Sequence, residues 1–239
     1  MSLSFLKSDL AKLGSKSKAK LLSGFFKTGP GEYGEGDIFI GVTVPNTRKI
    51  SLKYKDLPLK DVEKLLSSKI HEERLCALLI LVNLYEKHPE KRADIFNLYI
   101  KNTKFINNWD LVDLSAPNIS GRHIFNNGKE NPILGAILFR FAHSSNLWEK
   151  RIAVLSTFYF IKNRRFDESI EISELLLNDK HDLMHKAVGW MLREIGKRDI
   201  NVLKSFLAKH YKTMPRTMLR YSIEKFPESE RKKYLMGEI

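Results

Sequence analysis

His71-Glu72-Glu73-Arg74-Leu75-Cys76-Ala77-Leu78-Leu79-Ile80-Leu81-Val82-Asn83-Leu84-Tyr85-Glu86-Lys87-His88 carries the clearest periodicity in the chain. Its apolar positions Leu75, Leu78, Leu79, Val82 and Tyr85 recur every three or four residues, the spacing of one helix face. Leu75–Val82 is also the longest wholly apolar run, eight residues, where a spanning helix needs roughly 18. Similar stripes recur in Asn131–Phe141, Leu147–Ile161, Glu168–Leu177, Leu183–Ile195, Ile200–Tyr211 and Met214–Phe226. Polar breaks such as Asn178-Asp179-Lys180 and Gly196-Lys197-Arg198 separate them. Pro89, Pro132, Pro215 and Pro227 sit near their ends, where proline is tolerated. From residue 45 onward the pattern is helical almost throughout. The one strand-like run, Ile38–Val44, is closed by Pro45 and has no evident partner strand, so it reads as an extended connector. The expected fold is all-α.

Five helices resemble one another around Arg74, Trp109, Arg151, Lys186 and Thr217, whose spacings are 35, 42, 35 and 31 residues. Those values overlap the roughly 34 to 47 residues of two-helix repeats. Stacked helix pairs present a concave inner face lined by the second helix of each pair. The expectation is a helical-repeat solenoid forming a single domain over residues 1–239.

Charge says what such a face would meet. Lys and Arg number 41 against 28 Asp and Glu, a formal net charge of +13. A folded basic chain of this size points to a polyanion, with nucleic acid first and an anionic membrane surface second. A merely basic protein is the bland alternative. With 43% apolar residues and only 13 Gly and 8 Pro, the chain is neither disordered nor collagen-like. Its single cysteine, Cys76, allows no intrachain disulfide and suits a reducing compartment. Lys7 and Asp9 interrupt the only apolar stretch at the N-terminus, so no signal peptide is visible. A soluble cytoplasmic protein is expected, with nothing demanding more than a monomer.

Gly29-Pro30-Gly31-Glu32-Tyr33-Gly34 matches the dinucleotide-binding pattern literally. The context is wrong: Pro30 occupies the loop, Glu32 and Glu35 would repel pyrophosphate, and no helix opens on it. His181 and His185 have the spacing of a metal pair but lack a third ligand, and Asp182 reads as a helix-start residue. Cys76 lies mid-stripe and reads as inert core. No cofactor or metal is expected.

Asn107-Asn108-Trp109-Asp110-Leu111-Val112-Asp113 is more informative. An asparagine cap places Trp109 and Asp113 one turn apart on one helix face, with Asp110 turned aside to offset the helix dipole. An indole beside a carboxylate suits a cationic substrate; a core tryptophan with a capping acid is the competing reading. Arg151, after Trp148, and Trp190, in Val188-Gly189-Trp190-Met191-Leu192-Arg193-Glu194, occupy the same recurring helix position. An acid, a base and two indoles on one basic face make a candidate site.

These segments resemble the AlkD-like DNA alkylation-repair glycosylases. Tyr33-Gly34-Glu35-Gly36-Asp37-Ile38-Phe39-Ile40-Gly41-Val42, then Val44-Pro45 and Arg48-Lys49, is similar to that family's entry motif. Trp109–Asp113, Lys150-Arg151-Ile152-Ala153-Val154, Gly189-Trp190-Met191-Leu192-Arg193-Glu194 and Arg216-Thr217-Met218-Leu219-Arg220-Tyr221 follow in the family's order, over residues 30–235. The resemblance implies a HEAT-like repeat solenoid holding duplex DNA in a concave basic face. It implies hydrolysis of the N-glycosidic bond of cationic alkylated purines such as 3-methyladenine and 7-methylguanine, without base flipping. The catalytic aspartate falls on Asp113, the groove tryptophans on Trp109 and Trp190, and the groove arginine on Arg151. Backbone contacts fall on Arg48, Ser115, Arg193 and Lys197. The basic stretch Lys16–Lys20 matches nothing specific in the family.

The residue chemistry agrees. A cationic purine is already a good leaving group, so the remaining work is stabilising an oxocarbenium-like sugar and positioning water, which a carboxylate can do. No lysine is placed by a motif to form a Schiff base, so hydrolysis without strand cleavage is expected. A non-enzymatic helical-repeat DNA- or RNA-binding protein, or a protein scaffold of the same type, would explain the charge and the repeat equally well.

Overall fold

The computed structural model describes residues 2–239 and is all-α. The one isolated β-bridge among the described residues joins Ile38 to Ile70. The chain divides into two compact units, Met1–His123 and Ile124–Ile239.

The first unit contains α1 (Leu3–Lys12), α2 (Lys16–Phe25), α3 (Val44–Lys53), α4 (Leu59–Leu66), α5 (His71–Lys87), α6 (Arg92–Lys101) and α7 (Trp109–Ser115). Helix α5 is its centre, with α3, α4, α6 and α7 packed on it. Every residue from His71 to Leu81 is buried, so α5 has no solvated stripe, as befits a helix enclosed on all sides. The sequence reading did not delimit α1 and α2. Helix α1 buries only Leu6 and Leu10, and α2 buries nothing completely, so neither leaves a wide apolar stripe to detect. Asp9 ties α1 to the end of α3, accepting from Lys53 at 2.6 Å and the Tyr54 hydroxyl at 2.8 Å. The run Ile38–Val44 is the expected connector, except that Ile38 bridges to Ile70 and Val44 already opens α3.

The division falls within α8 (Arg122–Asn127). The second unit holds α9 (Pro132–Ala142), α10 (Leu147–Lys162), α11 (Asp167–Leu175), α12 (Asp182–Gly196), α13 (Ile200–His210), α14 (Arg216–Ser222) and α15 (Glu228–Met236). Helix α12 packs on α10, α11, α13 and α14. Gly189 lets α14 pack close on α12: a Cβ there would lie 2.6 Å from both the Met218 carbonyl oxygen and the Tyr221 Cβ. The apolar stripe Met214–Phe226 overruns α14 because the turn after it also buries Ile223 and Phe226.

Arg74, Trp109, Arg151, Lys186 and Thr217 fall on α5, α7, α10, α12 and α14. In the first unit α5 packs on α7; in the second, α10 packs on α12 and α12 on α14. Packing of each helix on the next but one is the pattern of a helical-repeat fold.

Candidate functional site

Helix α7 begins where the sequence places it. Asn108 is extended, and its side-chain oxygen accepts from the Trp109 N–H at 2.9 Å. Trp109 is half-buried, stacked on Phe26 at 5.2 Å and edge-on to Phe25 at 5.9 Å. Asp113, also half-buried, follows one turn later. The pKa of Tyr99 is raised well above its ordinary value by burial, against its hydrogen bond with Ser115, and the Asp113 charge adds to the rise.

Beneath Trp109 lies a buried polar network that the sequence reading missed. Asp110 meets His71 Nε2 at 2.9 Å rather than merely facing the helix dipole. His71 Nδ1 lies 2.9 Å from Asp37 Oδ2. Asp37 Oδ1 accepts from Arg74 Nη2 at 2.6 Å and from Asn107 Nδ2 at 3.2 Å. His71, Asp37 and Arg74 are all buried, and the Phe39 ring stacks on the imidazole at 4.4 Å. Burial favours the neutral form of Asp37, but His71 and Arg74 outweigh it and hold the carboxyl below its ordinary range. Burial likewise lowers the pKa of His71, while bonds to Asp110 and Asp37 raise it by more.

The neighbouring Glu72 anchors the end of the segment Tyr33–Val42. The Glu72 carboxylate accepts from the backbone N–H groups of Ile40, Gly41 and Val42, at 2.8 Å from Gly41. Gly41 has φ +81°, and a Cβ there would meet the Ser15 carbonyl oxygen at 2.1 Å. A cleft of about 350 Å³ opens beside this collar, lined by Leu21, Leu22, Val42, Leu75, His71 and Asp110. A signal for the network was present: an enclosed helix that starts with His71, Glu72, Glu73 and Arg74 must pair those charges.

In the second unit Trp190 is half-buried on α12, with the Phe158 ring of α10 at 6.0 Å. Lys162 Nζ stands 4.5 Å and the Arg198 guanidinium 5.9 Å from the Phe158 centroid. Arg151 is buried on α10 and donates through Nη1 to the Leu183 carbonyl at 2.9 Å, in the first turn of α12. Glu194 gathers nearby cations, accepting from Lys197 at 2.6 Å and Arg198 at 3.1 Å. Burial favours its neutral form, but Lys197 and Arg198 hold its pKa below the ordinary value. Arg193 pairs with Glu224.

The other expected contacts divide. Arg48 is exposed on α3 and Lys197 is exposed at the end of α12. Ser115 is not at the surface: it is fully buried, donates to the Leu111 carbonyl at 2.5 Å and bonds the Tyr99 hydroxyl at 3.0 Å. The helix ladder turns a residue six positions after Trp109 into the core. In the Gly29–Gly34 loop the N–H groups of Gly29 and Gly31 are taken by Glu32 and Glu35. His181 Nδ1 caps α12 by accepting from Leu183, and His185 bonds the Asp179 carbonyl at 2.5 Å. Among the described residues no group of three or more His, Cys, Asp or Glu could hold a metal ion. Cys76 is buried, and burial followed by the charge of Glu73 pushes its thiol up to about 12. No helix of the described residues is long and apolar enough to cross a membrane.

The family model for DNA alkylation repair enzymes matches residues 6–226. The chain belongs to that family. None of the curated proteins compared with it matches. A solved structure described as a predicted DNA alkylation repair enzyme from Enterococcus faecalis is similar to it, with a TM-score of 0.70 and 16% identity. That likeness covers 90% of this chain and 97% of the other, and it shows a shared fold. Family membership gives the chain a role in alkylation repair of DNA.

Proposed function

We propose that the protein is a monofunctional DNA glycosylase that hydrolyses the N-glycosidic bond of cationic alkylated purines, 3-methyladenine and 7-methylguanine among them, in duplex DNA. The observation carrying this reading is the pairing of a half-buried indole, Trp109, with a half-buried carboxylate, Asp113, one turn apart in a DNA alkylation repair family. As the bond breaks, positive charge builds on the sugar, and Asp113 stabilises it and orients the attacking water. The positive charge of the alkylated base makes it a leaving group without a general acid. Trp109 and Trp190 hold sugar and base by face contacts. Arg151, held by the Leu183 carbonyl, supplies positive charge for a phosphate near the lesion. Exposed Arg48 and Lys197, with Arg193, contribute salt-dependent affinity. The base is not flipped, no Schiff base forms, and the working species is a monomer. Such an enzyme opens base excision repair.

The test is release of free methylated base from methylated duplex DNA, wild type beside Asp113→Asn. Release by wild type alone supports the reading. Equal release by both discards Asp113 and keeps the enzyme. Tight, salt-sensitive binding without release by either moves the protein to the second reading, a non-enzymatic helical-repeat DNA-binding protein, which the net charge of +13 would serve as well.

A further inference from the structure

Imidazole nitrogens impose a simple rule. A neutral ring carries one N–H, so it can donate to one partner only. His71 faces a carboxylate oxygen at each nitrogen, Asp37 Oδ2 and Asp110 Oδ2, both at 2.9 Å. Both contacts are hydrogen bonds only when both nitrogens carry protons; a neutral ring would turn a lone pair toward one of the two anions.

Asp110 depends on this contact. Its other oxygen, Oδ1, is buried with no hydrogen-bond partner. Asp37, by contrast, is also held by Arg74 and Asn107, and Asn108 Nδ2 stands 3.5 Å from its Oδ2. Asn107 and Asn108 lead directly into Trp109, and Asp110 follows it. The first turn of α7 is therefore gripped on both sides of Trp109, by Asp37 before it and by His71 after it.

We propose that His71 is a positioning residue for the reaction: as an imidazolium bridging Asp37 and Asp110, it sets the first turn of α7 and with it the places of Trp109 and Asp113. This rests on the reading of Trp109 and Asp113 given above. The charged groups around the ring are Asp37 from the connector before α3, Asp110 from α7, Arg74 and Glu72 from its own helix, and Lys18 of α2 on the shared cleft. Phe26 and Phe39 supply apolar cover, with ring centroids 5.1 and 4.4 Å from the imidazole. The two carboxylates outweigh burial and Arg74, so the ring stays protonated above the ordinary histidine value of 6.5. The grip is present at lower pH and is lost as pH rises through the folded-state value. Loss of one proton turns a lone pair toward one of the two carboxylates and so breaks the bridge, and misplacement of a reacting group by about 1 Å is enough to slow chemistry about a hundredfold.

The experiment measures single-turnover base release and DNA affinity from about pH 6 to about pH 9, together with the ring-nitrogen NMR signals of His71. For wild type, a doubly protonated ring at neutral pH is expected, and a release rate that falls by about tenfold or more as that ring titrates, at unchanged DNA affinity. Asp110→Asn removes one anion, so both the ring titration and the alkaline fall in rate should move together to lower pH. His71→Gln should run at the reduced rate with no alkaline fall. A neutral ring at pH 7, or a wild-type rate that stays flat while the ring titrates, overturns the proposal. If His71→Gln fails to fold, the wild-type titration and the Asp110→Asn shift still decide it. Absence of release at every pH would instead strike the glycosylase reading. The ring-nitrogen signals and the pH response of the Trp109 indole N–H would then decide the grip separately: an indole signal that ignores the titration overturns it.

Discussion

The first turn of α7 and the C-terminal half of α12 each present a half-buried tryptophan, yet they handle charge in opposite ways. Around α7, Asp37, His71 and Arg74 are buried and bonded to one another beneath stacked rings. Around α12, Glu194 is the buried partner, while Lys197 and Arg198 keep 40% and 24% of their side chains exposed. A buried network holds its members in one geometry, because a lost partner leaves a desolvated charge behind. A half-exposed cluster can trade its carboxylate for another anion, because its cations reach solvent. The first arrangement suits the placing of a reacting group and the second suits contact with a backbone of phosphates.

The largest effect expected belongs to α7. Asp113→Asn should lower base release by at least about a hundredfold, with DNA affinity unchanged or slightly higher, measured by single-turnover release and by a binding titration. Equal losses of release and affinity would make Asp113 structural and erase the contrast. Next, Arg74→Met should cost about 3–5 kcal/mol in a urea unfolding titration, because it strands Asp37 in the core. Glu194→Gln, its counterpart on α12, should cost less than about 1 kcal/mol. It should also raise DNA affinity and steepen its salt dependence, since Lys197 and Arg198 lose their internal anion. Comparable costs for the two variants would mean that both clusters are buried networks.

Gly189→Ala tests packing under Trp190 rather than charge. The added Cβ collides with the Met218 carbonyl and with Tyr221, so a loss of about 1–3 kcal/mol is expected in thermal unfolding. The smallest effect concerns acid. Asp37 and Glu194 have depressed folded-state pKa values, so their contribution is present above the ordinary carboxylate range and is lost as pH falls through the folded values. Asp37→Asn should flatten that acid limb of the stability–pH curve more than Glu194→Gln does.

Much of this was legible in the chain itself. The three-to-four spacing around Leu75 and Leu78 settles a helix, since burial of one side is what such spacing encodes. The Asn108 cap, the start of α12 at Asp182 and the inert Cys76 follow from local chemistry, which acts over a few residues. The motifs around Trp109, Arg151 and Trp190 named the family, and with it the residues proposed for the reaction. Helices α1 and α2 were silent because so little of either is buried. Where Ser115 points, and that Asp110, His71, Asp37 and Arg74 form one network, was decided by tertiary structure alone. Asp37 and Arg74 are 37 positions apart, and His71 and Asp110 are 39 apart. A hydrogen bond between distant residues leaves no periodicity in sequence. It exists because α5, the connector before α3 and the first turn of α7 are folded against one another, away from water.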